Sequence, residues 1–261
     1  MPAHDMELLV EAARAAGEVA LGYVGQDLDV EHKPGGAGPV TDADHAVNAK
    51  LYDVLRKARP DYGWLSEESE DTPSRMQTER TFIVDPIDGT RSFIEGSGSW
   101  AHSLAVVERG RAVAAAIFLP VKQKLYSAAL GHGAFLNGQP IRASRRTRLS
   151  GASIVAAKPN YDASNWRGPV PDVHRTYRPS LAYRLALVAE GRFDAMLTLR
   201  PSWEWDIAAG ALILSEAGAE VTDRTGERLR FNNAHPQVNG VVAAGPALHR
   251  QLQDKLAKWP A

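Results

Sequence analysis

The sequence predicts a layered α+β fold, on three observations. Residues 101 to 129 read as a meander of apolar strands, residues 5 to 23 carry helical periodicity, and Ile207 to Ala217 is a nearly all-apolar helical stretch closed by Gly218. Antiparallel strands mixed with buried helices argue against a doubly wound parallel sheet.

The elements follow in order. Leu8, Ala12, Ala16, Val19, Ala20 and Tyr23 recur at helical spacing and predict a first amphipathic helix. A short extended piece near Leu28 to Glu31 leads into Lys33-Pro34-Gly35-Gly36-Ala37-Gly38-Pro39, a mobile flap in which glycine and proline exclude regular structure. Thr41 or Asp42 can cap a second helix with Val47, Leu51, Val54, Leu55 and Ala58 inward, ending at Arg59-Pro60 and placing Asp44 in its first turn. Trp64-Leu65-Ser66 is a strand delivering Glu67 and Glu68, and Phe82-Ile83-Val84 is a buried strand ending at Asp85. The meander runs through Ala101 to Val107, Ala112 to Leu119 and Lys124 to Ala129, with Glu108-Arg109-Gly110-Arg111 as one turn. Gly131-His132-Gly133-Ala134 and Asn137-Gly138 mark further turns, and the basic run Arg142 to Arg148 reads as a seam between halves with a solvated face. Leu181, Leu185 and Val188 fit a helix, and Phe193 to Leu199 a strand that carries the chain to Asp206. Val221 and Val241 to Ala243 supply strands, and a last helix follows Pro246.

Size and charge narrow the function. The chain has 261 residues, 44% hydrophobic and 23% charged, enough for one sizeable core or two closely packed halves. Thirty basic against thirty-one acidic residues leave a net charge of −1, so no overall field draws in a nucleic-acid polymer or an anionic membrane, and the expected partner is a small molecule. Without cysteine, any metal is held by oxygen or imidazole. His102, His132, His174 and His235 lack ligand spacing and read as surface or packing residues. Met1 to Leu9 shows no basic start with an apolar run, and no stretch approaches the roughly 18 apolar residues of a membrane span, so a soluble cytoplasmic protein is expected.

Chemistry concentrates in Asp85-Pro86-Ile87-Asp88-Gly89-Thr90. Proline fixes the local backbone and Gly89 tolerates unusual conformations, so the turn can aim two carboxylates at one cation. Alone, an Asp-Gly turn is more often only a turn. The segment gains meaning from three others, Val40-Thr41-Asp42-Ala43-Asp44, Ser66-Glu67-Glu68 and Trp205-Asp206-Ile207-Ala208-Ala209-Gly210. In order and spacing, with Gly133-Ala134 and Asn137-Gly138, these resemble the motifs of the inositol monophosphatase family over nearly the whole chain.

That resemblance implies an αβαβα sandwich of the inositol monophosphatase and fructose-1,6-bisphosphatase type. It implies a single phosphatase unit over residues 1–261, with subdomains 1–145, holding most metal ligands, and 146–261, contributing Asp206 and the substrate side. Carried over position by position, Glu67 and Asp85 would hold one magnesium ion with the carbonyl of Ile87 and the Thr90 hydroxyl. Asp85, Asp88 and Asp206 would hold a second, for two or three ions in all. Thr90 paired with Asp44 would orient and deprotonate the attacking water, with Glu67 assisting, while the N–H groups of Gly89 and Thr90 face the phosphate, and Asp88 and Asp206 border the substrate. Two magnesium ions roughly 3.5 to 4 Å apart support in-line hydrolysis of a phosphate monoester without a phosphoenzyme. Family members are often homodimers.

Neighbouring residues stay open. Glu68, alternating away from Glu67 at the strand end, is solvated or supports the ligands from behind. Lys33 either approaches phosphate or is solvated. Trp205 reads as packing. Among the family's substrates, Leu65-Ser66-Glu67-Glu68 and Pro201 to Asp206, with Glu204 before Trp205-Asp206, resemble the bacterial 3'(2'),5'-bisphosphate nucleotidase branch, which converts 3'-phosphoadenosine 5'-phosphate to AMP. Leu199 stands where animal inositol monophosphatases place a sugar-contacting glutamate, removing an acceptor for a ring hydroxyl. Ser180 follows Pro179 where the family has glycine, and Arg178, Arg184 and Arg200 are candidates for a second phosphate or carboxylate. The expected order is therefore bisphosphate nucleotidase, inositol monophosphatase, then histidinol phosphatase, with a non-catalytic regulatory protein on the same fold as the alternative class.

Overall fold

A computed structural model of the chain describes every residue except 34, 36, 37 and 259–261, so part of the expected glycine-rich flap lies outside the described residues. The first half contains α1 (Pro2–Leu21), β1 (Val30–His32), β2 (Pro39–Thr41), α2 (Asp42–Ala58), β3 (Gly63–Ser66), β4 (Arg80–Asp88), α3 (Thr90–Ile94), β5 (Ala101–Glu108), β6 (Arg111–Leu119), β7 (Lys124–Ala129), β8 (Ala134–Leu136) and β9 (Gln139–Pro140). The second half adds β10 (Ser153–Ala156), β11 (His174–Thr176), α4 (Leu181–Ala189), β12 (Ala195–Thr198), β13 (Ser202–Trp203), α5 (Glu204–Glu216), β14 (Glu220–Thr222), β15 (Gln237–Val238), β16 (Val241–Ala244) and α6 (Pro246–Lys255). Among the described residues, no helix is long and apolar enough to cross a membrane.

Strands β3 to β9 form a seven-stranded sheet in sequence order. The expected meander is its centre, and only β3 with β4 runs parallel. Its hairpins turn where the sequence provides for it: Arg109 and Gly110 both have positive φ, as do Asn137 and Gly138, the two-residue geometry that suits strand twist. A five-stranded sheet of order β11-β10-β12-β16-β14 follows, and here β10 is parallel to both of its neighbours. Residues 141–152 connect the two sheets, with Arg142, Arg145, Arg146 and Arg148 all exposed.

Three cores join five layers, the central one lying on both faces of the α4–α5 layer. α1 and α2 cover one face of the large sheet, burying Leu9, Ala16, Val47, Leu51 and Leu55 against Phe82, Val84 and Leu104. α4 and α5 lie between the sheets and pack on both. α6 closes the far side with Leu248 and Leu252, joined by Leu256 just beyond its end, against Ile154, Leu197 and Val242. The αβαβα order is thus the observed one. Strand alternation divides the cores: Ala114, Ala116 and Phe118 of β6 face α1, while Ala115, Ile117 and Leu119 face α5. At the α4–α5 contact, a Cβ on Gly210 would stand 2.5 Å from Leu185 Cδ1, so only glycine permits this approach.

The largest departure from expectation lies at α5, which begins at Glu204 rather than Ile207. Asp206 therefore sits in the first helical turn and not in an approach strand. An apolar run shows where a helix is buried but not where its polar first turn begins.

Candidate metal centre

Asp85 and Asp88 are three residues apart, so on a regular strand their side chains would point to opposite faces. The pairing of β4 with β5 slips between Asp85 opposite Ser103 and Asp88 opposite Ala101, leaving one extra residue on β4. This bulge swings Ile87 into the α1–α2 core, where it is buried, and returns Asp88 to the face of Asp85. Gly89 then takes φ 101° and opens α3. The bulge is what lets one short segment supply two acids to one site.

Glu67, Asp85 and Asp206 each present a carboxylate oxygen within 4.8 Å of the others. Glu67 leaves the end of β3, its N–H donating to Val84 O at 3.2 Å. Asp206 is the third residue of α5, whose first turn is tied to β5 by Ser103 Oγ donating to Trp205 O at 2.8 Å. Sequence reading missed Ser103, although a serine buried in an apolar strand needs such a partner. Asp88 borders the cluster but turns toward α4: its Oδ2 accepts from Ser180 Oγ and from Ala182 N, both at 2.6 Å. Ser180 is fully buried and also caps α4 through Tyr183 N, so its hydroxyl supports Asp88 and is closed to substrate.

The charges are strongly opposed. Burial, followed by the charges of Glu67, Asp88, Asp206 and Asp44, holds the Asp85 carboxyl well above the usual range. Asp206 is raised in the same way, by burial and then by Asp88 and Glu67. Asp88 is pushed up to about 6 by burial, against hydrogen bonds from Ser180 and Ala182 and the charge of Arg184. Asp85 Oδ1 is buried without a hydrogen-bond partner among the described residues. Three convergent carboxylates with an orphaned oxygen fit a hard divalent cation, which relieves both the repulsion and the unmet acceptor.

Beside the cluster, Asp44 is buried at the third position of α2 in a capping box: Thr41 N and Thr41 Oγ1 donate to its Oδ2 at 2.8 and 2.6 Å. Its Oδ1 faces Thr90 Oγ1 at 3.3 Å, and the same hydroxyl lies 3.2 Å from Ile87 O. Burial raises the Asp44 carboxyl despite the Thr41 bonds.

Lys33 is not a solvated lysine. Its Nζ donates to Glu67 Oε1 at 2.7 Å and to Glu68 Oε1 at 2.5 Å. Glu68 is accordingly paired rather than solvated, with its side chain 5% exposed and its carboxyl raised chiefly by burial. Arg184 is a buried brace: its guanidinium donates to the carbonyls of Arg178 and Pro179 and stacks over Tyr177, fixing the loop before Ser180. Arg200 is exposed, and its charge bears on Asp206. Leu199 is core.

Trp205 is buried and stacked on Trp203 at 4.7 Å. His102 is likewise buried, donating through Nδ1 to Pro86 O, and burial lowers its imidazole to about 4, so it stays neutral beside the motif.

The family model described as the inositol monophosphatase family matches residues 2–259. The chain belongs to the inositol monophosphatase family. An inositol-1-monophosphatase of Rhizobium meliloti is 37% identical over 238 residues, covering 85% of this chain and 86% of that protein. The Nus factor SuhB of Escherichia coli strain K12 is 32% identical, covering 97% of each. Among solved structures, the extragenic suppressor protein suhB of Bartonella henselae superposes with TM-score 0.82 at 32% identity, over 96% of this chain and 97% of that one. An IMPase of Thermotoga maritima gives 0.80 at 28% identity, over 97% and 96%. As an inositol monophosphatase family phosphatase, the chain has in Glu67, Asp85 and Asp206 a donor set suited to the family's metal dependence.

Proposed function

We propose that this chain is a single-unit magnesium-dependent phosphomonoesterase, with inositol 1-phosphate as its first candidate substrate. The observation that carries the phosphatase reading is the convergence of Glu67, Asp85 and Asp206 at an orphaned buried oxygen. With Asp88 and the carbonyl of Ile87, these residues would hold magnesium, which supplies charge neutralisation of the phosphoryl oxygens and acidifies the attacking water. The protein's own part is orientation and proton removal. The Thr90 hydroxyl lies between the Ile87 carbonyl and Asp44, so it can accept a hydrogen bond from water while donating toward the carboxylate. An Asp44 carboxyl raised by burial is a stronger base than an exposed one, which suits it to take up the proton. The N–H groups at Gly89 and Thr90 stand at the opening of α3 to orient the phosphate.

The substrate order differs from the one the sequence suggests. Glu204 was one ground for the bisphosphate nucleotidase reading, but it is fully buried and accepts from Asn232 N, Asn233 N and Asn233 Nδ2. It holds a loop and has no free oxygen to offer a substrate. The relatives' names then favour inositol 1-phosphate. A second reading, 3'-phosphoadenosine 5'-phosphate, keeps two supports: Leu199 is buried and offers no acceptor to a cyclitol hydroxyl, and exposed Arg200 suits a second phosphate.

Phosphate release from inositol 1-phosphate, 3'-phosphoadenosine 5'-phosphate and histidinol phosphate, with magnesium or with chelator, tests both statements. Magnesium-dependent release with the highest kcat/KM on inositol 1-phosphate is expected. A preference for the bisphosphate reverses the order, and release that persists in chelator, or none with any ester, rejects the function.

A further inference from the structure

We propose that Asn48 is a positioning residue for the metal centre, setting the direction of the Glu67 carboxylate by clasping residues 66–69 to α2. The inference rests on Glu67 being a metal-holding residue. Asn48 lies four residues after Asp44, on the same face of α2. Its side chain makes three hydrogen bonds, all to the turn that carries Glu67. Asn48 Oδ1 accepts from Ser66 Oγ at 2.7 Å, and its Nδ2 donates to Glu68 O and to Ser69 Oγ, both at 3.1 Å. Ser66 Oγ accepts in turn from Glu68 N at 3.3 Å, and Trp64 Nε1 donates to Ser69 Oγ at 3.0 Å.

The consequence for Glu67 is specific. Its own N–H is held by Val84 O on β4, so the chain entering the residue is fixed by the sheet. The chain leaving it is fixed at Glu68, whose N–H and carbonyl are both engaged by the clasp. With the backbone held on both sides, the Cα–Cβ direction is set and only side-chain rotation remains. The same helix carries Asp44 toward Thr90, so α2 spans the site and fixes the separation of Asp44 from Glu67. The residue type fits the task. An amide supplies an acceptor and two donors in one plane without adding a charge beside Glu67 and Glu68. An aspartate could not donate to the Glu68 carbonyl, and an apolar residue would leave the turn unheld.

Partners that orient metal ligands from behind typically change metal affinity by about 10–100-fold when removed. The test is calorimetric titration of chelator-stripped protein with Mn2+, which needs no turnover, on wild type, Asn48→Ala, Ser66→Ala and the double variant. Asn160→Ala serves as a stability control, because that buried amide supports Leu199 N and Ala157 O in the other half. Asn48→Ala is expected to raise the Mn2+ Kd by about tenfold or more. Ser66→Ala should act in the same direction, and the double variant should be no weaker than the weaker single, because both break one clasp. Asn160→Ala should lower the melting temperature with Kd unchanged. A folded Asn48→Ala with Kd within about twofold of wild type overturns the proposal, well short of the loss expected. Should Asn48→Ala not fold, an unchanged Kd in Ser66→Ala overturns it. Wild type that binds no Mn2+ rejects the metal reading itself, a result separate from these.

Discussion

Replacing Asp88 by asparagine is expected to stabilise the metal-free protein while abolishing hydrolysis. Burial pushes the Asp88 carboxyl from 3.8 to about 6, even against hydrogen bonds from Ser180 and Ala182 and the charge of Arg184. A shift of that size is on the order of 3 kcal/mol of opposition to the charged form. Because the folded carboxyl holds its proton more tightly than the unfolded one, the folded state loses stability as pH rises from about 4 through about 6, and the cost is complete above that range. Asparagine is neutral throughout, and with its oxygen in the place of Oδ2 it keeps both bonds to the start of α4. In chelator near pH 7.5 the variant should therefore gain up to ~3 kcal/mol, a melting-temperature rise of roughly 6–12 °C for a chain of this size. Near pH 4 the advantage should vanish. His102 moves the other way: its imidazole is lowered to about 4, so it removes stability as pH falls from 6.5 toward 4. It does so in both proteins and cancels in their difference. Scanning calorimetry in EDTA from about pH 4 to 8, repeated with magnesium, makes the comparison; magnesium should stabilise wild type more than the variant. A variant less stable than wild type near pH 7.5 in EDTA would refute the reasoning.

Other substitutions separate the remaining roles. Thr90→Ala removes the hydroxyl between Ile87 O and Asp44, and kcat should fall by about 10²–10⁴-fold while the Mn2+ Kd measured by calorimetry rises far less, because the carboxylates remain in place. Glu204→Gln sets an amide donor against one of the donors from Asn232 or Asn233, costing about 1–3 kcal/mol in urea unfolding. The ratio of kcat/KM between inositol 1-phosphate and the bisphosphate should not change in that variant; a changed ratio would return Glu204 to the substrate side. Gly210→Ala drives a methyl group into Leu185, and the overpacking of about 1–3 kcal/mol should exceed the roughly 1 kcal/mol that alanine gains in helix propensity. Equal or greater stability in urea would show that α4 and α5 do not approach this closely.

Much of the fold was legible because its strands alternate and its helices carry one apolar stripe. The stripe on α2 and the apolar run inside α5 announce buried helices, and Arg109-Gly110 and Asn137-Gly138 announce the hairpins. The shortest strands were harder: β10 and β11 of the five-stranded sheet, and β13 and β15, which pair only with each other, have two to four residues each, too few for a period to emerge. In the site, motif resemblance pointed to the acids, yet their supports could not be read from order along the chain. Nothing local marks Ser180 as the partner of Asp88, 92 residues away, or Ser103 as the partner of Trp205, 102 residues away. The β4 bulge was hidden for another reason. Pro86 signals an irregularity, but only the pairing with β5 tells which residue is the extra one. Glu204 counts toward the bisphosphate nucleotidase resemblance by its place beside the motif aspartate, and nothing in that place shows that it is fully buried against Asn232 and Asn233.

The acids stay together at a cost that the scaffold offsets only in part. Besides α3, three helices begin beside these acids: Asp44 and Asp206 are the third residues of α2 and α5, and Asp88 accepts from Ala182 in the first turn of α4. Each helix start favours a nearby negative charge by about 0.3–1 kcal/mol. Asp88 alone opposes ionisation by about 3 kcal/mol, and Asp85 and Asp206 are raised as well. Oriented dipoles therefore reduce the strain without removing it, and the remainder is available to a cation. It follows that metal affinity and metal-free instability share one origin. A substitution that neutralises an acid makes the empty fold firmer and the cation weaker together, whereas one that disturbs only its support, as at Asn48, weakens the cation without that gain.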